Sequence, residues 1–377
     1  MKKSKYTIIG GGINGLFTAY HLSKATTEEI IIIDRSYLGG GSTFKCATGI
    51  RASFTTKEHI TLMIESIKLW EKYSKKLGFW YLKGGYLWLF SKKEQLHKFR
   101  EYSKVHNMLG LPTQIWDKEK IKREIPSMCS DHIIAGLYDP LAGKASPFEA
   151  VHSLYLHCKS KNVKFLTRTN VEKIKRTKEG YEIQTERFVM KTETLIIAAG
   201  SGTKKLLRSI GIHVPLKNIP HHSLITEPYR DVFKPLIIDV TTGAYLVQLK
   251  EGNFLMGVEV DEKEDSPLNE RLDFMIKVLS IWYKYFPWIK NTNILRAWAG
   301  YYVVSPDHHP IIGPIEEYNN LYIAAGFSGH GFMMAPIVGK LLSEWILEGE
   351  PSIKIANNLT IRRFIEGKLI HEKAVIG

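Results

Sequence analysis

Two glycine-rich turns, one near each end of the chain, constrain its fold more than any other feature. Tyr6-Thr-Ile-Ile-Gly10-Gly-Gly12-Ile13-Asn14-Gly15 is an apolar run entering Gly-x-Gly-x-x-Gly, Leu16 to Leu22 follows at helical spacing, and Glu29 to Asp34 reads as a second strand. That order is a strand–helix–strand unit built for a dinucleotide. Gly10 allows the tight turn, Gly12 lets backbone amides approach a pyrophosphate, and Gly15 lets the helix pack close to its strand. The helix N-terminus adds free amides and the positive end of its dipole. Asp34 lies 19 residues beyond Gly15, where a carboxylate binds the ribose hydroxyls of an adenosine and repels a 2′-phosphate. NADP is therefore disfavoured, leaving FAD or NAD.

The second turn, Gly326-Phe-Ser-Gly329-His330-Gly331-Phe332, follows the apolar run Leu321 to Ala325 and precedes a helical segment from Met333 to Leu347. A glycine turn at a helix start offers N–H groups to whatever lies above it. A reduced flavin gathers negative charge at its N1–C2=O edge, which such a turn stabilises as an oxyanion hole stabilises an alkoxide. A nicotinamide has no such need, so the two turns together favour FAD.

A chain of 377 residues, 44% hydrophobic, buries a large core and divides into two domains. Its charge of +14 is scattered through helical segments such as Lys68 to Lys76 without a nucleic-acid motif, so it reads as solvated surface and nucleic acid is not an expected partner. Cys46, Cys129 and Cys158 form no Cys-x-x-Cys pair, which argues against a disulfide framework or a zinc site and fits a reducing cytoplasm. The basic start followed by an apolar run is not read as a signal peptide, because the phosphate-loop glycines fall inside the run. The most apolar long stretch, Leu321 to Ile346, contains His330, Lys340 and Glu344, so a buried helix is expected there and no transmembrane segment. His221-His222 and His308-His309 lack an accompanying carboxylate cluster, and no metal is expected.

The remaining pattern predicts an interrupted arrangement: residues 1–84, 145–219 and 295–377 in a cofactor domain, 85–144 and 220–294 in a substrate domain. A long amphipathic helix spans Lys57 to Leu77. Strands are expected at Tyr86 to Phe90, Val163 to Leu166, Val171 to Ile174, Tyr181 to Thr185 and Thr194 to Gly200. Three more, Leu236 to Val240, Ala244 to Leu249 and Phe254 to Val260, precede an aromatic helix from Leu272 to Phe286. The fold class is α/β, α+β overall: a Rossmann-like FAD-binding domain with a discontinuous, mostly antiparallel β substrate domain.

Further segments carry a resemblance: Gly40-Gly-Ser-Thr-Phe-Lys-Cys-Ala-Thr-Gly-Ile-Arg51, Gly143 to Phe148, Ile197 to Gly200, Arg296-Ala-Trp-Ala-Gly-Tyr-Tyr302, and Ser305 to Asp307 with Pro310 to Gly313. With the two turns, they resemble the D-amino-acid-oxidase-type flavoprotein family nearly end to end. Glycine oxidase and sarcosine oxidase belong to it. The greatest similarity is to the β subunits of archaeal dye-linked L-proline dehydrogenase and of sarcosine oxidase. The resemblance implies removal of a hydride from a carbon bonded to an amine nitrogen, with transfer to flavin N5 and formation of an imine.

By position it also implies that Ser42 and Thr43 touch the cofactor phosphates and that Thr48, Gly49 and Ile50 lie near the isoalloxazine. Arg35, Val171, Ala199, Gly200, Gly300, Gly329, His330, Gly331, Phe332 and Met333 complete the cofactor set with Gly10, Gly12, Ile13, Asn14, Gly15 and Asp34. Arg51 matches an arginine that binds the substrate carboxylate, a role that suits a planar guanidinium. Tyr302 stands where glycine oxidase has its carboxylate arginine, and His222 and Tyr245 reach the pocket from the substrate domain. Gly300 replaces the cysteine that attaches FAD in monomeric sarcosine oxidases, so the cofactor is expected to be non-covalent. Leu255 replaces the lysine that activates oxygen there, which implies a dehydrogenase passing electrons to a quinone, a dye, or a partner flavin or Fe–S subunit. L-Proline is the first expected substrate, then sarcosine, hydroxyproline and glycine. The alternatives are one subunit of an electron-transfer complex, as part of a homo- or hetero-oligomer, and a hydroxy-acid dehydrogenase on the same scaffold.

Overall fold

The computed structural model describes residues 2–373. Its first sheet is organised around Lys2–Ile9, which pairs in parallel with Ile30–Ile33 on one side and Val189–Ile197 on the other. Val163–Leu166 extends the sheet beyond Ile30–Ile33. Val189–Ile197 forks. Its first half continues the antiparallel meander of Val171–Thr177 and Gly180–Thr185, and its second half pairs in parallel with Leu321–Ala325. All four residues of Ile30–Ile33 are buried, as expected of a β-branched run covered on both faces.

Helices Ile13–Ala25, Lys57–Leu77, Pro147–Lys159 and Gly331–Glu348 pack on one face of this sheet over a core that includes Ile8, Phe17, Trp70 and Leu341. Thr56 caps Lys57–Leu77 at its start and left-handed Gly78 ends it. The order parallel strand, glycine turn, helix places Gly10 to Asn14 and Gly326 to Gly331 at the carboxyl ends of the two parallel strands that flank Val189–Ile197. Ligands bind at that edge in open α/β sheets.

The second sheet runs in the order Ile294–Val304, Lys217–Pro228, Asn253–Gly257, Tyr245–Gln248, Leu236–Asp239, Tyr86–Phe90, Ala135–Asp139, Gln114–Asp117. It is antiparallel except where Tyr86–Phe90 meets Leu236–Asp239. Period-two alternation assigns its faces: Leu87, Leu89, Leu224 and Leu246 pack under the helix Leu272–Tyr285, while Tyr86, Trp88, Tyr245 and Val247 turn the other way. This sheet begins at Lys217 and continues to Val304, whereas the sequence-based divisions fall at 219/220 and 294/295. Arg296 to Tyr302 reads as a strand in either domain, and only its pairing with Lys217–Pro228 decides which. A small sheet of Gly49–Ile50, Gly143–Ala145 and Tyr81–Leu82 bridges the two large ones.

Candidate active site

A cleft of about 470 Å³ lies between the sheets, beneath the two glycine turns. Asn14 joins the turns directly: its Nδ2 donates to the Gly331 carbonyl at 3.0 Å. Gly10 takes φ +113, and a Cβ there would lie 2.2 Å from the Ala198 carbonyl oxygen, so only glycine permits this crossing. Thr43 Oγ1 accepts from the Ile13 amide at 3.1 Å, which brings the Ser42–Thr43 loop over the helix start. Asp34 accepts from the amides of Gly11 at 2.8 Å and Ser36 at 2.7 Å, and Arg35 reaches Ser201 at 3.3 Å. Val171, Ala199 and Gly200 line the same end, and Gly300 with Gly329 to Met333 lines the other.

The residues present suit a flavin dinucleotide. Thr48 holds φ +62, a left-handed conformation that costs a β-branched residue about 1–3 kcal/mol, and it lines the cleft beside Gly49. Among the described residues its buried Oγ1, Asn14 Oδ1 and both His330 ring nitrogens have no hydrogen-bond partner. Unpaired polar atoms around a cleft at helix N-termini are what a large polar cofactor would satisfy.

Arg51 is 3% exposed and opens onto the cleft, so it is not a surface ion pair. Its guanidinium stacks 3.8 Å from the Phe54 ring centroid and 4.9 Å from that of Trp88, and Nη1 donates to the Ser53 carbonyl at 2.7 Å. Burial lowers its pKa to about 10, which leaves it cationic at neutral pH. Tyr302 lines the cleft and stacks on His221 at 3.7 Å between centroids. Tyr245 lines it too, hydrogen-bonded to Ser223 at 2.7 Å. Among the described residues Asp34, at the adenosine end, is the one acid that lines the cleft.

Two assignments, His222 and Ile50, are corrected. His222 is buried on the opposite face of its strand, where Nε2 meets Glu262 at 2.9 Å and the ring packs on Phe274. Alternation places His221 and Ser223 in the cleft instead. His221 Nδ1 bonds the Ile219 carbonyl at 3.3 Å, so that nitrogen carries the proton and Nε2 keeps its lone pair; burial lowers its pKa to about 4. Gly15 performs the close helix packing expected of it, behind the cleft: a Cβ there would fall 2.0 Å from the Gly10 carbonyl oxygen. Ile50 turns into the core shared with Phe54 and Ile60.

Sequence reasoning did not single out Tyr86, which lines the cleft on the strand Tyr86–Phe90, nor Lys45, whose ammonium is lowered first by burial and then by Arg296. Leu255 lies in the core with Tyr245 and Leu236, outside the cleft. Cys46 lines the cleft with its thiol pushed by burial up to about 12, as befits an inert residue. Behind the closing turn, His59, His309 and Glu372 bring ligand-type atoms within 4.8 Å of one another. The Glu372 carboxylate there accepts from the amides and hydroxyls of Thr55 and Thr56.

The family model of FAD dependent oxidoreductases matches residues 5–345. The chain belongs to that family. It is 34% identical to L-proline dehydrogenase from P. horikoshii, whose crystal structure superposes with a TM-score of 0.93 over 98% of this chain and 99% of that one. Glycine oxidase from Geobacillus kaustophilus shares the fold at 18% identity, with a TM-score of 0.89 over 96% of this chain and 99% of that one. By sequence, the oxidoreductase is 25% identical to sarcosine oxidase subunit beta from Rhizobium meliloti, covering 97% of this chain and 89% of that one. It is 27% identical to dimethylglycine dehydrogenase from Rattus norvegicus over 93% of its own length, but spans only 43% of that protein. The protein is thus an FAD-dependent oxidoreductase. Among the described residues no helix is long and apolar enough to cross a membrane.

Proposed function

We propose that this oxidoreductase dehydrogenates a small secondary amino acid, with L-proline the first candidate. The observation that carries the reading is the presence, in one cleft, of a buried arginine and a neutral histidine with an open ring nitrogen. Arg51 binds the substrate carboxylate. Among the described residues no acid lines this end of the cleft to stabilise an ammonium, so the amino acid reacts as its neutral amine, and His221 Nε2, uncharged, stands as a hydrogen-bond acceptor for the amine N–H. Tyr302, stacked on His221, fixes the imidazole plane, and Leu236 and Ile238 keep the reacting carbon dry. FAD, when bound, supplies the acceptor for the hydride leaving the carbon next to nitrogen. The products are an imine and reduced cofactor.

Non-covalent attachment is supported by glycine at position 300, and a dehydrogenase rather than an oxidase by leucine rather than lysine at position 255. The decisive experiment is anaerobic bleaching of visible absorbance by L-proline, sarcosine, hydroxyproline or glycine, followed by reoxidation with air or dye. Bleaching by a secondary amino acid with fast dye and slow air reoxidation supports the reading, whereas bleaching by hydroxy acids alone removes it.

A second reading, action as one subunit of a hetero-oligomer, is favoured by a specific surface. Tyr37 and Phe148, each 60% exposed, flank Phe44 in a stack beside the Ser42–Lys45 turn at the cleft edge. Solvent-exposed stacked rings of this kind suit a partner that receives electrons. A chain that oxidises L-proline at full rate by itself, with dye as acceptor, would remove this second reading.

A further inference from the structure

Resting on the amino-acid reading above, we infer that Tyr86 is a specificity-determining residue: its hydroxyl binds the substrate carboxylate beside Arg51, and its ring limits the size of the group attached to the substrate α-carbon. Tyr86 occupies the first position of Tyr86–Phe90, between Leu236 and Asp139 on the neighbouring strands. It is 3% exposed, and that remnant opens into the cleft. Its Oη lies 1.5 Å from the point where a Cβ on Gly49 would sit, and Leu236 Cδ1 lies 2.9 Å from the same point. Glycine at 49 is thus what admits the phenol to the cleft wall, and the ring closes the cleft on this side.

Among the described residues the Tyr86 hydroxyl has no hydrogen-bond partner, yet it is not among the sealed polar atoms of the interior. Buried phenols ordinarily find a partner, so an unsatisfied hydroxyl facing a ligand cleft is available to the ligand. Tyr86 and Arg51 act on one another electrostatically. Burial holds the phenol neutral, so it donates to an anion across the physiological range. Arg51 is stacked on Phe54 and Trp88 and tied to Ser53, which fixes its plane. A planar guanidinium with one phenol beside it suits a single carboxylate. A second acidic group or a long side chain on the substrate would meet the Tyr86 ring and Leu236.

The experiment is spectral titration of the oxidised holoenzyme with oxolane-2-carboxylate, the unreactive oxygen analogue of proline, and with its six-membered homologue. Tyr86→Phe keeps the volume and the flavin, and loses one hydrogen bond to a charged group. Its Kd for oxolane-2-carboxylate should rise about 10- to 100-fold, with KM for an oxidised amino acid rising and kcat within about threefold of the parent. Tyr86→Leu opens the wall and should narrow or reverse the preference for the five- over the six-membered ring. Unchanged Kd in Tyr86→Phe, or an unchanged ring preference in Tyr86→Leu, overturns the inference, as does parent enzyme that binds neither analogue. Carboxylate binding that depends on Tyr86 in an enzyme that oxidises no amine would instead leave the inference standing and remove the proposed function.

Discussion

Replacing Arg51 by lysine tests the substrate end of the site most directly. Two hydrogen bonds from a guanidinium to a carboxylate contribute about 1.5–3 kcal/mol each. Lysine keeps the charge but offers a point donor in place of a planar fork, and nothing replaces the plane now 3.8 Å from the Phe54 centroid and 4.9 Å from the Trp88 centroid. Losing one bond and the stacked alignment amounts to about 2–3 kcal/mol, or about 30- to 150-fold in kcat/KM. Arg51→Gln removes the charge as well, and its loss should reach about 10²- to 10⁴-fold. The assay is the anaerobic rate of flavin bleaching by L-proline, with pyrrolidine, which lacks the carboxylate, as control. The pyrrolidine rate should change less than about threefold, and bound flavin should be unaltered. Equal losses on both compounds, or none on proline, would refute the assignment of Arg51 to the carboxylate.

His221→Asn removes an acceptor for the amine N–H and the ring stacked on Tyr302, and should slow the bleaching step about 10-fold, whereas His222→Asn should change stability without altering that rate. Gly12→Val should leave the circular dichroism spectrum intact but purify without flavin, since a Cβ at 12 meets only Thr43 Oγ1, at 3.3 Å, and intrudes on the cleft; Gly10→Ala should impair folding itself. Stability should fall as pH drops below about 6.5, read by denaturant midpoints between pH 8 and 5. His221 is depressed to about 4 in the folded state, so the unfolded chain binds the proton first, and each such buried histidine removes about 1.4 kcal/mol per pH unit between the two values. His309 is depressed by burial and by His59, and acts in the same direction. A midpoint that does not move across that range would show these rings to be solvated.

The cofactor end was readable because its determinants are local. Gly10, Gly12 and Asp34 lie within one strand–helix–strand unit, and each has a physical task that no other residue type performs as well. The substrate end was less readable. Alternation required that only one of His221 and His222 face the cleft, yet which one depends on the register with Ile294–Val304 and on where the helix Leu272–Tyr285 packs. Tyr86 read as one aromatic among several in a strand, and its importance follows from the space left by Gly49, a residue of a different sheet. The grouping of His59, His309 and Glu372 arises from three segments far apart in the chain and has no sequence pattern.

The bond from Asn14 to Gly331 joins residues 317 positions apart, and this separation governs how the protein matures. Both glycine turns line the cleft, so it is complete only once the closing turn has been synthesised and Leu321–Ala325 has paired with Val189–Ile197. Long-range closure of this kind makes folding slow. A ligand that binds only the finished cleft adds about 2.7 kcal/mol at a hundred times its dissociation constant. Flavin supply during synthesis would thus set how many chains complete the cleft and how many remain as open, protease-sensitive intermediates.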